Sequence, residues 1–336
     1  MLETQEVCKD DREVLWIREM IRGNPELFPG DKPEKILVLH EKQVSSHHTH
    51  IYDIDDVYVH VKFFNRTKGR TNVTYDPIRE MRSEYEKLLE YEKKGFGSGK
   101  YRVVKALGIN ADIDSALATM YVGGKTVQSV ILDVIKEDGD PAMLYMALEL
   151  TAGLLKKIHT VMPQSYQIDQ ADMFYSYLKS LLYLEEQNML GGYHRRTFKG
   201  LTRWYNYKPL FDQRGVTVHG DANPSNFKID NGIIYAFDME RSKGKHSPVI
   251  DLGAMVSELK HQFAYLTNDG GKAEPYIEHF LSSYAADEAE LEFVKSILPF
   301  YVSQSLFKIA MLGYWDREYK KYLVEEGTKC IEVEPL

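Results

Sequence analysis

The chain has 336 residues, 43% of them hydrophobic, and a formal net charge of −8; that is enough apolar content for a sizeable core and enough length for two lobes. Only Cys8 and Cys330 are present, which excludes a disulfide framework and points to a reducing compartment. The acidic balance argues against a general nucleic-acid binder, no apolar run reaches the length of a membrane span, and residues 1–13 are charged rather than signal-like, so cytoplasmic residence is expected.

In chain order, residues 11–22 read as a helix inside an N-terminal extension (1–35), and the stretch 23–35, with Pro25, Pro29 and Pro33, reads as a junction. The segment 43–50 reads QVSSHHTH. His48 and His50 would share one strand face near Asp53, but nothing completes a zinc site there and none is expected. Residues 57–64 (VYVHVKFF) are β-branched and aromatic, the composition of a strand, and Lys62 lies within it. Residues 79–93 carry apolar positions at Met81, Tyr85, Leu88 and Leu89, the period of an amphipathic helix, with Glu80 and Glu84 one turn apart. An apolar strand at 117–122 ends in Gly123-Gly124. Helices are expected over 141–160, 171–190, 249–266, 273–284 and 289–312.

The richest segment is VHGDANPSNFKIDNGIIYAFDMERSKGKHSPVID, residues 218–251. The apolar run 216–218 leads into His219, Gly220 and Asp221, Asn226 follows, and a second apolar run ends on Asp238. Asn231-Gly232 between two apolar runs is the composition of a tight hairpin turn. Two carboxylates and an amide at this spacing suit phosphoryl transfer, in which one carboxylate orients a hydroxyl while an amide oxygen and a second carboxylate hold a metal ion against phosphates.

HGDANPSN followed by FDMER closely resembles the catalytic loop and metal-binding segment of the aminoglycoside phosphotransferase and choline kinase group of small-molecule kinases, in the manner of the IDFEY form of choline kinases. The resemblance spans roughly residues 36–266. It implies an α+β, two-lobed protein-kinase-like fold: a small mixed N-terminal lobe with an antiparallel sheet (36–122) and a larger, mainly helical C-terminal lobe (123–336). It implies Asp221 as the residue orienting the acceptor, Asn226 and Asp238 as magnesium ligands with Glu240 as a further metal carboxylate, and Asp251 as a brace for the catalytic loop. Lys62 would reach the nucleotide α/β-phosphates with Glu84 as its partner and Glu80 as the runner-up. Backbone groups near Met120 and Val122 would bind adenine. No glycine-rich phosphate loop is present, so Ser45 and Ser46 are the expected phosphate contacts. The cofactor expected is Mg²⁺ with ATP, GTP being the other candidate.

The acceptor implied is a hydroxyl of a small molecule: a sugar, amino alcohol or related polyol. An atypical protein kinase and a catalytically silent nucleotide-binding module are the alternatives. The first is disfavoured by the short connection between Asp238 and Asp251, by the missing APE motif and by Gly220, which stands where protein kinases carry an arginine. The second is disfavoured by the intact set of Lys62, Asp221, Asn226 and Asp238. The basic, aromatic stretch 193–207, with Arg195, Arg196 and Arg203, reads either as a solvated helix face or as a reader of an anionic acceptor.

Overall fold

A computed structural model describes residues 3–6, 11–25, 36–40, 48–54, 57–65, 75–136 and 139–335. The chain divides into two compact units, Met1–Gly124 with Tyr235–Glu240, and Lys125–Ile234 with Arg241–Leu336.

Unit 1 is built on a six-stranded antiparallel sheet. Its elements are β1 (Glu3–Glu6), α1 (Arg12–Arg22), β2 (Ile36–His40), β3 (His48–Ile54), β4 (Val57–Phe63), α2 (Pro77–Tyr91), β5 (Tyr101–Val103), β6 (Ala106–Asn110) and β7 (Ala116–Met120), and the sheet order is β1-β2-β3-β4-β7-β6. Strand period explains its two faces. Val59, Val61 and Phe63 of β4 are buried with Tyr52 and Ile54 of β3 and with Ala116 and Ala118 of β7, and Ile17, Met20 and Ile21 of α1 close over them. The N-terminal helix is therefore part of the core of unit 1. Lys62, between two of those core positions, points to the opposite face. Helix α2 starts at Asp76, whose side chain accepts from the N–H groups of Ile78 and Arg79, with Pro77 at the first helical position. Its buried stripe is Met81, Glu84, Leu88 and Tyr91.

Unit 2 is mainly helical. It comprises β8 (Lys125–Thr126), α3 (Val127–Ile135), α4 (Pro141–Val161), α5 (Gln170–Glu186), α6 (His194–Tyr205), β9 (Val216–Val218), β10 (Phe227–Asp230), the start of β11 (Ile233–Ala236), β12 (Lys243–His246), α7 (Val249–Thr267), α8 (Glu274–Tyr284), α9 (Glu288–Ala310) and α10 (Arg317–Glu332). Strand β10 pairs with β8 and β12 with β9, both antiparallel. Asn231 and Gly232, at φ 49° and 76°, make the tight turn after β10, as their composition requires. Helix α4 runs through the core with ten buried residues. Helices α7 and α9 approach closely because Gly253 has no side chain: a Cβ there would lie 2.6 Å from Cβ of Tyr301. Among the described residues no helix is long and apolar enough to cross a membrane.

Candidate active site

In unit 1, Lys62 is 8% exposed and its ammonium is ringed by carboxylates: Oε2 of Glu84 at 2.9 Å, Oδ1 of Asp238 at 2.6 Å and Oε2 of Glu240 at 3.3 Å. Of the two helix carboxylates weighed from the sequence, Glu84 faces the lysine, while Glu80 pairs with Arg79 at the surface. Glu84 sits on the buried stripe of α2 because its charge is met there. Burial opposes the charge on Lys62, but Glu84, Asp238 and Glu240 outweigh it and hold the ammonium above its ordinary range. Burial pushes Glu84 up, against the pull of Lys62.

The segment carrying Asp238 and Glu240 is anchored within unit 1. Val104 N–H donates to the Ala236 carbonyl at 3.1 Å, and Lys87 donates to the Glu240 carbonyl at 2.6 Å. Lys87 escaped the sequence reading because a helix lysine on a charged face carries no signal of what it reaches. Asp238 adopts φ 56°, the left-handed region, which aspartate tolerates better than most residues but still at a cost of about 1–3 kcal/mol. Ligand oxygens of Glu84, Asp238 and Glu240 lie within 4.8 Å of one another, an all-oxygen set that suits a hard divalent cation.

In unit 2, β9 delivers the loop 219–226. Gly220 has φ 81°, and a Cβ there would lie 2.3 Å from the Arg241 carbonyl oxygen. No side chain fits this position, which accounts for the glycine. The loop is held by Asp251 at the start of α7: its two carboxylate oxygens accept from His219 N–H at 2.7 Å and Gly220 N–H at 2.9 Å, while His159 of α4 hydrogen-bonds to it at 3.0 Å. His159 is itself fixed by Tyr284 at 2.9 Å. Burial raises the Asp251 carboxyl, yet hydrogen bonding and charge from His159, the charge of His219 and the Gly220 N–H bring it below the ordinary range. It stays ionised as a fixed brace.

Asn226 closes the loop from within, its side-chain N–H donating to the Asp221 carbonyl at 2.9 Å. Asn223 caps Ser225 N–H and reaches Glu258 of α7 at 3.0 Å. The Asp221 side chain is 40% exposed, and Nε of Arg241 stands 3.7 Å from its Oδ2. Arg241 and Glu258 were not singled out from the sequence; the only available sign was that Arg241 is the last residue of the FDMER segment.

Met120 ends β7, and its N–H donates to the Lys105 carbonyl at 2.9 Å, so that group is committed within unit 1; Val122 is buried at 7% exposure. His48 and His50 share a face and hydrogen-bond through their Nε2 atoms at 2.7 Å, and His50 Nδ1 lies 3.3 Å from the Tyr52 hydroxyl. Ser45 and Ser46 lie outside the described residues. In the basic segment, Arg196 pairs with Glu332 and Arg203 with Glu334 and the Glu332 carbonyl, all from α10 or just beyond it, while Trp204 donates to the Ile331 carbonyl at 3.1 Å. These contacts assign two of its three arginines to helix packing.

The architecture is the α+β fold of protein-kinase-like small-molecule kinases. Plasmodium vivax ethanolamine kinase superposes over 95% of this chain and 90% of its own, at 12% identity and a TM-score of 0.59. Aminoglycoside phosphotransferase APH(2'')-Ib bound to ADP matches over 94% and 97% at 13% identity and 0.53, and a glucosamine kinase over 89% and 92% at 11% and 0.53. At these identities the likeness is one of fold. No protein-family model matches the chain, and no curated protein matches it in sequence.

Proposed function

We propose that this protein is a nucleotide-dependent phosphotransferase that moves a γ-phosphate to a hydroxyl of a small molecule, with Asp221 orienting the acceptor. The observation that carries this reading is the buried Lys62 ammonium held among Glu84, Asp238 and Glu240, an arrangement costly to build unless phosphates and a metal ion are to be bound. Solved relatives in fold include an ethanolamine kinase, a glucosamine kinase and aminoglycoside phosphotransferases with ADP or GDP, so both ATP and GTP fit as donors.

In this reading Lys62, kept charged by its neighbours, binds the α/β-phosphates, and Glu84 fixes the lysine side chain. Asp238 and Glu240 would hold Mg²⁺, with Asn226 as a further ligand, and the ion would supply charge neutralisation at the phosphates. Asp221 accepts the acceptor's hydroxyl proton as the phosphorus–oxygen bond forms and the nucleoside diphosphate leaves. Asp251 and His159 keep the loop rigid, so that Asp221 needs little reorganisation. The connection from Asp238 to α7 is filled by a short turn at Met239–Arg241 and by β12, which leaves no peptide-docking loop and favours a small acceptor over a protein. Cytoplasmic residence belongs to the same proposal. Nucleotide turnover by the purified chain, with and without Mg²⁺, against sugars, amino alcohols, nucleosides and aminoglycosides tests it; metal-independent turnover, or none with any hydroxyl, would overturn it.

A further inference from the structure

Helix α7 holds the catalytic loop at two points. Asp251 takes the N–H groups of His219 and Gly220, and Glu258, two turns further along the same face, takes the side-chain N–H of Asn223 at 3.0 Å. The two contacts fall on either side of Asp221 in the chain. The phosphotransfer reading uses the first and leaves the second without a role.

Asn223 is the residue around which 221–226 is folded. Its N–H donates to the Asp221 carbonyl at 2.7 Å and its carbonyl accepts from Asn226 N–H at 2.9 Å. Its side-chain oxygen accepts from Ser225 N–H at 3.0 Å and from the Ser225 hydroxyl at 2.9 Å. What remains is the side-chain amide N–H, and Glu258 receives it. An amide that turned over would exchange its oxygen for its nitrogen and lose Ser225. The carboxylate opposite permits one orientation, because it accepts and never donates.

Glu258 is itself fixed. Its side chain is 12% exposed, and its other oxygen accepts from His261 Nε2 at 3.1 Å and from Gln262 Nε2 at 3.0 Å. Gln262 pairs with Gln128 of α3, amide to amide, at 2.8 Å in both directions. Buried His261 meets the Tyr319 hydroxyl of α10 at its Nδ1, at 3.1 Å, and at its carbonyl, at 2.9 Å. A carboxylate mostly out of water is tolerated there because N–H donors meet both oxygens. Held in this way between α3 and α10, it cannot follow a loop that moves.

We propose that Glu258 is a positioning residue for the transfer, acting through Asn223 to hold 221–226 in the conformation that places Asp221 at the acceptor hydroxyl. This deepens the phosphotransferase reading and rests on it.

Exchanging the two groups tests the proposal on the full chain. Asn223→Asp sets one carboxylate against another, and Glu258→Gln sets an amide N–H against either Asn223 or the His261 and Gln262 donors. Together they restore the hydrogen bond in the opposite sense, the carboxylate at 223 accepting from the amide at 258 while still receiving Ser225. The expected result is a kcat at least about tenfold lower in each single variant, against less than about a threefold change in KM for nucleotide, and a kcat within about threefold of the parent in the double variant. A group that only stabilised the fold would lower the melting temperature and leave the kcat of the folded chain alone. Unchanged kcat in the single variants, or losses that multiply in the double variant, overturn the proposal. Where a single variant fails to fold, the double variant must still fold and turn over, or the proposal fails. Amide hydrogen exchange across 219–226 reads the loop without turnover: exchange should be faster in both single variants and recover in the double, and unchanged exchange removes Glu258 from loop positioning. If that exchange pattern holds while the parent chain transfers phosphate to no hydroxyl, the hold on the loop stands and the kinase reading fails.

Discussion

In unit 1 the Lys62 ammonium faces three carboxylates, with Lys87 within electrostatic reach of Glu84 and Glu240, whereas in unit 2 the carboxylates of Asp172, Asp221 and Asp251 lie among Arg241, Lys243 and Lys308. The first cluster carries more carboxylates than ammonium groups, whereas in the second the carboxylates of Asp172, Asp221 and Asp251 each have a cation within electrostatic reach. A folded protein that leaves an uncompensated charge partly out of water forgoes stability there, and the sign of what is missing is a statement about the ligand. Under the proposed phosphotransferase function, the carboxylates of unit 1 would take a divalent cation with its nucleotide.

The comparison breaks most visibly at Asp221. Asp221→Asn should lower transfer by a factor of about 10²–10⁴ while calorimetry shows nucleotide binding retained, because the lost group acts on the acceptor proton; near-normal turnover would remove Asp221 from the chemistry. The next effect falls on stability in unit 1. Lys62→Met leaves Glu84 buried beside two other carboxylates, and breaking such a pair costs about 3–5 kcal/mol. Chemical denaturation should show that loss, and Lys62→Met with Glu84→Gln should recover much of it; additive losses in the double variant would mean that the two groups do not share one interaction. Among the proposed metal ligands, Asp238→Ala should weaken Mg²⁺-nucleotide binding at least tenfold and Asn226→Ala by less, the first removing a full charge and the second a neutral amide. Unchanged metal dependence in both would contradict the assignment.

A pH series sharpens the unit 2 half. With Lys308 held near 8, below its ordinary value, the unfolded chain binds more protons than the folded one between about pH 8 and the usual lysine range, so this group's contribution to stability rises with pH across that window. The charged groups around it are Arg241 and Lys243, which lower its proton affinity, and Asp221 and Asp251, which raise it, with Asp172 also within electrostatic reach. The smallest effect is expected from Arg195, Arg196 and Arg203 replaced together by Gln. Exposed ion pairs contribute little, so acceptor KM should stay unchanged and the melting temperature should move only slightly. A tenfold rise in acceptor KM would return substrate recognition to α6.

The sequence by itself was sufficient for the strand bearing Lys62, the Asn231-Gly232 turn and most of the long helices, because each is written in local terms of period and turn chemistry, and the resemblance of its motifs implied the α+β class. The preference for Glu84 over Glu80 was also open to sequence reasoning, and the structure adds its burial beside the lysine. Other features were not legible. Helices α3 and α10, the second of which receives Arg196 and Trp204, were not anticipated, and α1 was expected as a helix but placed in an extension, although Ile17, Met20 and Ile21 complete the core of unit 1. Which apolar face covers which is decided by residues far apart in the chain. The same holds at the site. Nothing local to Lys87, Arg241 or Lys308 says that they reach the Glu240 carbonyl or lie near Asp221. Charge type and spacing are properties of the chain, but desolvation and the sum of neighbouring charges exist only once distant segments have packed, and these set what the lysines and carboxylates can bind.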